Sequence, residues 1–274
     1  MAIARTEQLR ARSGPMGRRC ALALLLALAA GVAAGLLAWG PVRLGPAAHE
    51  YADARAWAGL PQALNVLACL PLFVAACLGV GATRRSAWGD EVRRPWMAFH
   101  AFAALSALGS ALYHAAPSDE AYLLAHGITS GAFVMLTLGA LAERVHRAFG
   151  TWRGLAAAAL PLLLSGAMVA ASHQAGGGAD VRPLLLMQVL PVLLIPAGAA
   201  WLPGAYTRPG DWLVILVTYG LAKLLDLGDA ALLDATGWVS GHTGMHLALA
   251  GVASWLAYRA AASRRRHTSP NTSG

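Results

Sequence analysis

The chain has 274 residues, of which 57% are hydrophobic and 12% are charged, and its mean hydropathy is +0.54. Because a soluble domain carries about 25% charged residues, this composition excludes a soluble globular protein and predicts one integral membrane unit. The net charge of +8 does not indicate a nucleic-acid partner, since the basic residues fall in separate loops and at both termini instead of forming one patch.

Cysteine and arginine usage indicate the type of cell and the compartment in which the protein occurs. Cys20, Cys69 and Cys77 all lie in apolar runs, and an odd number of such cysteines without a C-x-x-C pair argues against a disulfide framework. Twenty arginines against one lysine, with abundant alanine, glycine and leucine, are typical of a GC-rich bacterial gene. We therefore expect a protein of a bacterial inner membrane.

Eight apolar runs approach the length of about 20 residues that a helix needs to cross a bilayer. Each is predicted to be helical, because lipid offers no partner for unpaired backbone groups. In chain order the runs cover residues 20–39, 62–81, 97–115, 121–141, 154–172, 183–202, 211–227 and 242–260. The predicted fold is all-α, a polytopic membrane helix bundle with eight spans.

Arginine placement predicts the orientation of the spans. Arginines are frequent in the tail 1–19, after the second and fourth runs, and after the last run. Eight spans place all these segments on one side, so both termini are predicted to be cytoplasmic. The run 20–39 also resembles a signal peptide, but its apolar core exceeds the usual 7–15 residues, which favours a retained N-terminal helix. The polar tail 261–274 is expected to be disordered.

This topology gathers scattered polar residues at one depth of the membrane. Ser110 and His114 lie near the outer end of the third span, and His126 lies at the outer start of the fourth. His242 and His246 fall in the first turns of the eighth span. Since ionisable side chains are costly to bury in lipid, their convergence near the outer leaflet is a functional hypothesis.

The spacing of these residues fits metal chemistry. His242 and His246 are four residues apart, so on a helix they project from one face. With His114 as a third ligand they would hold Zn²⁺ and leave a fourth position for water, which is the pattern of catalytic zinc. Ser110, one turn before His114, is a candidate to hold the zinc-bound water or to donate to a developing oxyanion.

Each motif also has a structural interpretation. A serine in a membrane helix commonly bonds its own backbone or a neighbouring helix, and a single histidine can bridge two helices. We assign no role to His100, which lies near the inner end of its span. The remaining histidines are expected to be solvated in loops or tails, namely His49, His146, His173 and His267.

Several segments over residues 49–260 match a known pattern. They are Leu64–Leu67 with Leu70–Phe73, Gly109–Ser110–Ala111–Leu112–Tyr113–His114, Asp180–Val181–Arg182–Pro183, and Tyr219–Lys223 leading into Val239–Leu247. On these segments the chain resembles the alkaline ceramidase family and its bacterial relatives. That family belongs to a wider superfamily of seven-helix membrane hydrolases, which includes the progestin and adiponectin receptors.

The resemblance implies a seven-helix core over residues 49–260, to which the helix at 20–39 is an addition. It implies one zinc ion held by His114, His242 and His246, with Ser110 as the matching serine. The implied activity is hydrolysis of the amide bond of ceramide-like lipids, so the implied partner is a membrane lipid substrate.

The chain departs from the family pattern on the fourth span. The family has an aspartate about three turns after the S-x-x-x-H histidine, and that position falls here on Ala125 or His126. His126 can replace it as a general base near neutral pH or act as a fourth zinc ligand; Asp119 is a second candidate for the base. The acidic cluster that binds calcium in eukaryotic ceramidases is also missing apart from Asp53 and Gln62, so calcium is not predicted.

Lys223, Asp226 and Asp229 are spaced at i, i+3 and i+6 and are therefore predicted to lie on one stripe of a helix. One interpretation is an intramembrane ion pair between Lys223 and Asp226. The other is that one carboxylate orients a zinc-bound histidine through its second ring nitrogen.

Three functions follow in order of preference. The first is an intramembrane zinc hydrolase that cleaves a lipid amide. The second is a non-catalytic, metal-stabilised lipid-binding or receptor-like protein of the same superfamily, which the missing aspartate favours. The third is a transporter or haem protein that uses the histidines as ligands, although neither an inverted repeat nor paired broken helices are evident.

Overall fold

The computed structural model describes the backbone of residues 15–268 and the side chains of residues 17–263. Over that range the protein is all-α. Two 3₁₀ turns, Pro46–His49 and Arg147–Gly150, accompany the α-helices. The helices are α1 (Pro15–Trp39), α2 (Ala63–Arg84), α3 (Asp90–Ala115), α4 (Asp119–Arg144), α5 (Trp152–Gln174), α6 (Arg182–Trp201), α7 (Pro209–Leu227), the short α8 (Asp229–Thr236) and α9 (Gly241–Thr268).

Six of the helices, α1 to α6, are long and apolar enough to cross a bilayer, which confirms an integral membrane protein. Helices α7 and α9 have 19 and 28 residues but are not among these six, because α7 carries three charged residues and α9 is more polar. Helix α7 carries Asp211, Lys223 and Asp226, and α9 begins with two histidines in its first two turns. The two helices that fall short of the apolar criterion are therefore those that carry much of the chemistry of the chain.

The predicted apolar runs all fall on long helices, and the differences lie at helix ends. Helix α3 begins at Asp90 instead of near residue 97, because Asp90 and Glu91 in its first turn interact favourably with the helix dipole. Helix α9 continues to Thr268, past residue 260, since alanine and arginine are good helix formers. Of the predicted tails 1–19 and 261–274, residues 15–19 belong to α1 and residues 261–268 to α9, while residues 1–14 and 269–274 lie outside the described residues.

The core of the bundle forms around α3, α4 and α9. Trp96, Trp212 and Leu256 are among its fully buried side chains. Helix α9 packs between α2 and α7, and α1 packs mainly on α6. Helices α1 and α5 bury few residues, so their exposed leucines form a surface suited to lipid. The alternating helices bring the end of α3, the end of α7 and the start of α9 to one end of the bundle.

A glycine permits the closest of these approaches. Helix α9 begins at Gly241, and a Cβ atom there would lie 2.0 Å from the carbonyl oxygen of Leu225 and 2.8 Å from Cα of Asp229. Because both neighbours are backbone atoms, the clash cannot be relieved by a change of rotamer. We expect Gly241→Ala to destabilise the protein by about 1–3 kcal/mol or more, since about 1–3 kcal/mol is the usual cost of overpacking.

The measurement is thermal unfolding of the purified protein in detergent. Gly220→Ala on α7 is the matched control, because a Cβ atom there has no neighbour within 4 Å. Equal melting temperatures for the two variants would contradict the packing argument.

Candidate metal centre

Three buried histidines converge where α3 ends and α9 begins. His114 lies in the last turn of α3, and His242 and His246 lie in the first two turns of α9. The Nε2 atom of His114 is 3.2 Å from that of His242 and 3.2 Å from that of His246. The Nε2 atoms of His242 and His246 are also 3.2 Å apart. The three nitrogen atoms form an equilateral triangle.

The second ring nitrogens fix the protonation of two of these rings. His242 Nδ1 is 2.7 Å from a carboxylate oxygen of Asp226, and since a carboxylate only accepts, Nδ1 carries the proton. His114 Nδ1 similarly donates to Oε1 of Gln62 over 2.8 Å. In a neutral imidazole the other nitrogen is then a bare acceptor. The Nε2 lone pairs of both rings therefore point into the triangle.

This arrangement distinguishes metal binding from simple helix bridging. Two acceptor nitrogens 3.2 Å apart cannot hydrogen bond to each other, so their contact is repulsive. A single cation in contact with all three nitrogens removes the repulsion, and imidazole is the commonest metal ligand in proteins. Among the described residues these three histidines form a cluster whose ligand atoms lie within 4.8 Å of one another. They can hold one metal ion.

Asp226 makes both of the contacts that were predicted as alternatives, one with a histidine of the cluster and one with Lys223. One carboxylate oxygen accepts from His242, and the other is 3.2 Å from Nζ of Lys223. The two interpretations of this segment are therefore compatible. Helix α7 ends at Leu227, so Asp229 begins α8 instead of continuing one stripe. Asp229 accepts from the backbone N–H of His242 over 2.7 Å and of Ala52 over 2.8 Å.

Gln62 holds His114 from an unusual backbone position. Its φ of 45° and ψ of 42° lie in the left-handed region, which costs a residue other than glycine about 1–3 kcal/mol. Gln62 is buried at the start of α2. Such strain is common at functional sites. Here it accompanies the contact between Gln62 and the His114 ring.

Hydrogen bonds hold the segment before α2 over the histidine cluster. Asp53 is buried, and both of its carboxylate oxygens accept from the guanidinium of Arg55 over 2.8 Å. This contact holds the pKa of Asp53 below its usual range. Arg55 also donates to the carbonyl oxygens of Gly237 and Trp238. The loop is thus tied to the segment that precedes α9.

Asn65 joins α2 to the same region. Its side-chain oxygen accepts from Oγ1 of Thr243 over 2.7 Å, and its side-chain nitrogen donates to the backbone oxygen of Asp53 over 3.4 Å. Asn65 is fully buried, so these bonds satisfy a group that lipid could not. The Leu64–Leu67 segment thus contributes a structural link beside the metal ligands.

Tyr51 covers two of the three histidines. Its ring centroid is 4.9 Å from that of His114 and 4.3 Å from that of His242. Burial, together with a hydrogen bond to Tyr113, raises the pKa of the Tyr51 phenol far above its usual value. Tyr51 therefore remains neutral. Its hydroxyl donates to that of Tyr113 over 3.3 Å.

His49 extends this network, and our expectation that it is solvated was wrong. Its Nδ1 is 2.9 Å from the Tyr113 hydroxyl, and its Nε2 is 2.9 Å from a carboxylate oxygen of Asp119. The segment before α2 folds back over the end of the bundle and half-buries the ring. The segment between α1 and α2 has no hydrophobic periodicity, so the sequence does not predict that Tyr51 or His49 lies near the histidine cluster.

The remaining predicted residues lie around the histidine cluster. Ser110 neighbours the thiol of Cys69, whose sulfur is 3.8 Å from Nδ1 of His246. His126 stacks on Tyr122, with their centroids 4.1 Å apart. His126 is outside the three-histidine cluster defined above.

The position expected for the family aspartate serves helix packing. Ala125 is buried, and its Cα lies 3.5 Å from where a Cβ on Gly109 would be. The His126 side chain next to it has Lys223, Asp226 and His242 as its charged or titratable neighbours. Asp119, the other candidate base, is hydrogen bonded to His49.

An apolar cavity of about 120 Å³ lies inside the bundle among α3, α4, α6, α7 and α9. Its few polar lining residues are Ser106, Thr129 and Tyr219. Ser106 is one helical turn from Ser110, and Tyr219 is one turn from Lys223. On α3 the cavity therefore begins about one turn below Ser110 and two turns below His114, and it runs towards the arginine-rich end.

The centre consists of three buried histidines, of which two have a hydrogen-bonded second nitrogen. An apolar cavity lies beneath it. Comparison of the chain with protein-family models, with curated proteins and with solved structures finds no match.

Proposed function

We propose that the protein is an intramembrane zinc-dependent hydrolase that cleaves the amide bond of a ceramide-like N-acyl lipid. The triangle of Nε2 atoms carries the proposal. Zn–N bonds of about 2.0–2.1 Å in tetrahedral geometry place ligand nitrogens about 3.3 Å apart, and the nitrogens here are 3.2 Å apart. Zinc is the metal that this spacing and this all-histidine donor set favour.

The proposed topology has eight spans, α1 to α7 and α9, with both termini cytoplasmic in a bacterial inner membrane. Arginine-rich segments support this orientation. Arg18 donates to the carbonyl of Val145, and Arg94 donates to that of Gly150, so these segments meet at the end away from the histidines. The centre would then lie near the outer leaflet, in a seven-helix core of the alkaline ceramidase type with α1 as an addition.

Zinc, when bound, supplies a Lewis acid and lowers the pKa of a coordinated water towards about 7. The protein residues have separate tasks. Asp226 and Gln62 keep the rings of His242 and His114 in the tautomer that presents Nε2. Three protein ligands leave one coordination position open, which is typical of catalytic sites.

The catalytic roles go to Ser110 and His126. The Ser110 hydroxyl, on the face of α3 that bears His114, would donate to the oxygen of the amide carbonyl as negative charge develops there. His126 would accept the proton that the attacking water loses and donate it to the leaving amine. Its position next to Ala125 makes it the replacement for the family aspartate.

A lipid substrate is supported by the surroundings of the centre. The cavity beneath the histidines is lined by apolar side chains such as Phe99, Phe133 and Leu249. Part of an acyl chain that entered from the bilayer would occupy this space of about 120 Å³, with its amide at the level of the histidines. Hydrocarbon burial would supply the binding energy, and the few polar groups would fix the position of the amide.

A second candidate is a non-catalytic, metal-stabilised lipid-binding or receptor-like protein. The packing of Ala125 against Gly109 favours it, because a carboxylate would be expected at this place in the catalytic family. The same metal and the same acyl cavity would then serve stability and ligand recognition. The two candidates differ in whether the bound lipid is hydrolysed.

Ser110→Ala separates these candidates. We expect it to lower the turnover of an N-acyl sphingoid lipid in detergent micelles by about 10²–10³-fold, the usual cost of losing one oxyanion donor, while zinc content stays unchanged. Released fatty acid measures turnover. Ser165→Ala on α5, a buried serine in another part of the bundle, is the control and should retain full activity.

Two results would count against the catalytic assignment. Unchanged hydrolysis in Ser110→Ala would remove its role. Zinc-loaded wild-type protein that binds N-acyl lipids without hydrolysing any would favour the receptor-like alternative.

A further inference from the structure

A large polar cavity lies at the arginine-rich end of the bundle, opposite the histidines. It has a volume of about 1100 Å³ and lies between the start of α1, the end of α4 and the segment 202–206. Ligand pockets commonly measure about 300–1,000 Å³, so its size suits a small molecule. Its ionisable lining residues are Arg18, Arg19, Arg144, Arg147, His146, Glu91 and Glu143.

Glu143 is committed to the protein backbone. One carboxylate oxygen accepts from the N–H groups of Tyr206 and Thr207 over 2.8 and 2.7 Å. The other accepts from the Thr207 hydroxyl over 2.8 Å. This carboxylate therefore holds the segment between α6 and α7 in place and has little capacity left to pair with the arginines.

Arg144 brings a buried positive charge to the same wall. It donates to the carbonyl oxygens of Leu202 and Thr207 over 2.6 and 2.8 Å. Within the described residues its Nε atom has no hydrogen-bond partner, although the side chain is only 7% exposed. Buried guanidinium groups are normally paired or fully hydrogen bonded; since this Nε atom is itself inaccessible to solvent, Arg144 contributes its positive charge to the wall of the cavity, not this donor.

The other arginines are exposed around the opening of the cavity. Arg18 donates to the carbonyl of Val145 and thereby attaches α1 to the end of α4. Among residues 17–263, Arg18, Arg19 and Arg147 form no ion pair with a carboxylate. Four arginines face two glutamates in the lining, which leaves an excess of positive charge.

The depth of the cavity in the proposed membrane orientation indicates which class of ligand it binds. The first residues of α1 and the last residues of α4 and α6 lie where a bilayer has its headgroups. Helix α1 packs mainly on α6 and is otherwise exposed, and its first residues Arg18, Arg19 and Leu22 line the cavity. Guanidinium groups bind phosphate through paired, charge-assisted hydrogen bonds, and basic pockets between helices bind anionic headgroups.

We propose that this cavity binds the phosphate-bearing headgroup of an anionic membrane lipid. The site is independent of the metal centre, since it lies at the other end of the bundle. The lipid would supply the counter-charge to Arg19, Arg144 and Arg147 and would attach α1 to α4.

The test is thermal unfolding of the full-length detergent-purified protein with phosphatidylglycerol, phosphatidylcholine or inorganic phosphate. The variant is Arg19→Gln/Arg147→Gln, which removes two exposed charges and leaves Arg144 and its structural bonds intact. Arg84→Gln/Arg85→Gln is the matched control, because it removes the same charge from exposed residues at the same end outside the cavity lining.

Phosphatidylglycerol should raise the melting temperature of the wild type and of the control to the same extent, because a ligand of the native state stabilises it. The cavity variant should lose at least half of that rise, and phosphatidylcholine should have little effect. Equal responses in the two double variants would overturn the proposal, as would no response of the wild type. An equal rise with inorganic phosphate alone would overturn the assignment to a lipid.

Discussion

We expect the wild-type protein to contain about one zinc ion per chain, as a three-ligand site would, and the His242→Ala/His246→Ala variant to contain none. Removal of two of three ligands leaves His114 alone, and a single imidazole cannot hold the ion against water. Elemental analysis of protein purified without chelator measures the change directly. Zinc-dependent hydrolysis should disappear with the metal.

His146→Ala/His173→Ala is the matched control for this experiment. Both residues lie in described parts of the chain away from the cluster, His146 before the second 3₁₀ turn and His173 near the end of α5. The control should retain its full zinc content. Equal zinc in both variants would show that the metal is held elsewhere, and folded wild-type protein without zinc would remove the hydrolase proposal.

Asp226→Asn will weaken zinc binding by about 10–100-fold, the usual effect of losing a group that orients a metal ligand. The amide keeps the size of the side chain, but the negative charge that polarises His242 is lost. Lys223, which is 3.2 Å from the carboxylate, then keeps its positive charge without a partner near the metal. Competition with a coloured chelator measures the affinity.

Two companion variants make this result specific. Asp234→Asn removes an exposed carboxylate of α8 at the same end of the bundle and should bind zinc as the wild type does. Lys223→Met breaks only the ion pair and leaves the bond between Asp226 and His242, so its affinity should change far less. An Asp226→Asn variant with wild-type affinity would mean that Asp226 serves only Lys223.

The membrane helices were predictable because lipid imposes a single requirement on them. A run of about 20 apolar residues must be helical, and the eight runs correspond to the eight long helices. Helix ends were less predictable, because they follow local chemistry. The acidic first turn of α3 and the alanine- and arginine-rich end of α9 extend both helices past their apolar runs.

The histidine cluster was predictable from topology, but its surroundings were not. Alternating spans must bring His114, His242 and His246 to one end, and the i, i+4 spacing fixes the relation of the last two. Tyr51 and Gln62 lie in the irregular segment before α2. This segment has no helix or strand periodicity from which the direction of its side chains could be predicted. The prediction that Lys223, Asp226 and Asp229 share one helix stripe was wrong, because α7 ends before Gly228 and Asp229 starts a new helix.

The separation of the ligands along the chain has a consequence for biosynthesis. His114 enters the membrane with α3, whereas the two other ligands follow 128 and 132 residues later. Membrane helices made one after another pack together afterwards, so the three histidine nitrogens come together only when α9 has been made and has packed into the bundle. Any product truncated before α9 is limited to one ligand. Metal occupancy in cells would thus report on completed synthesis and assembly of the chain.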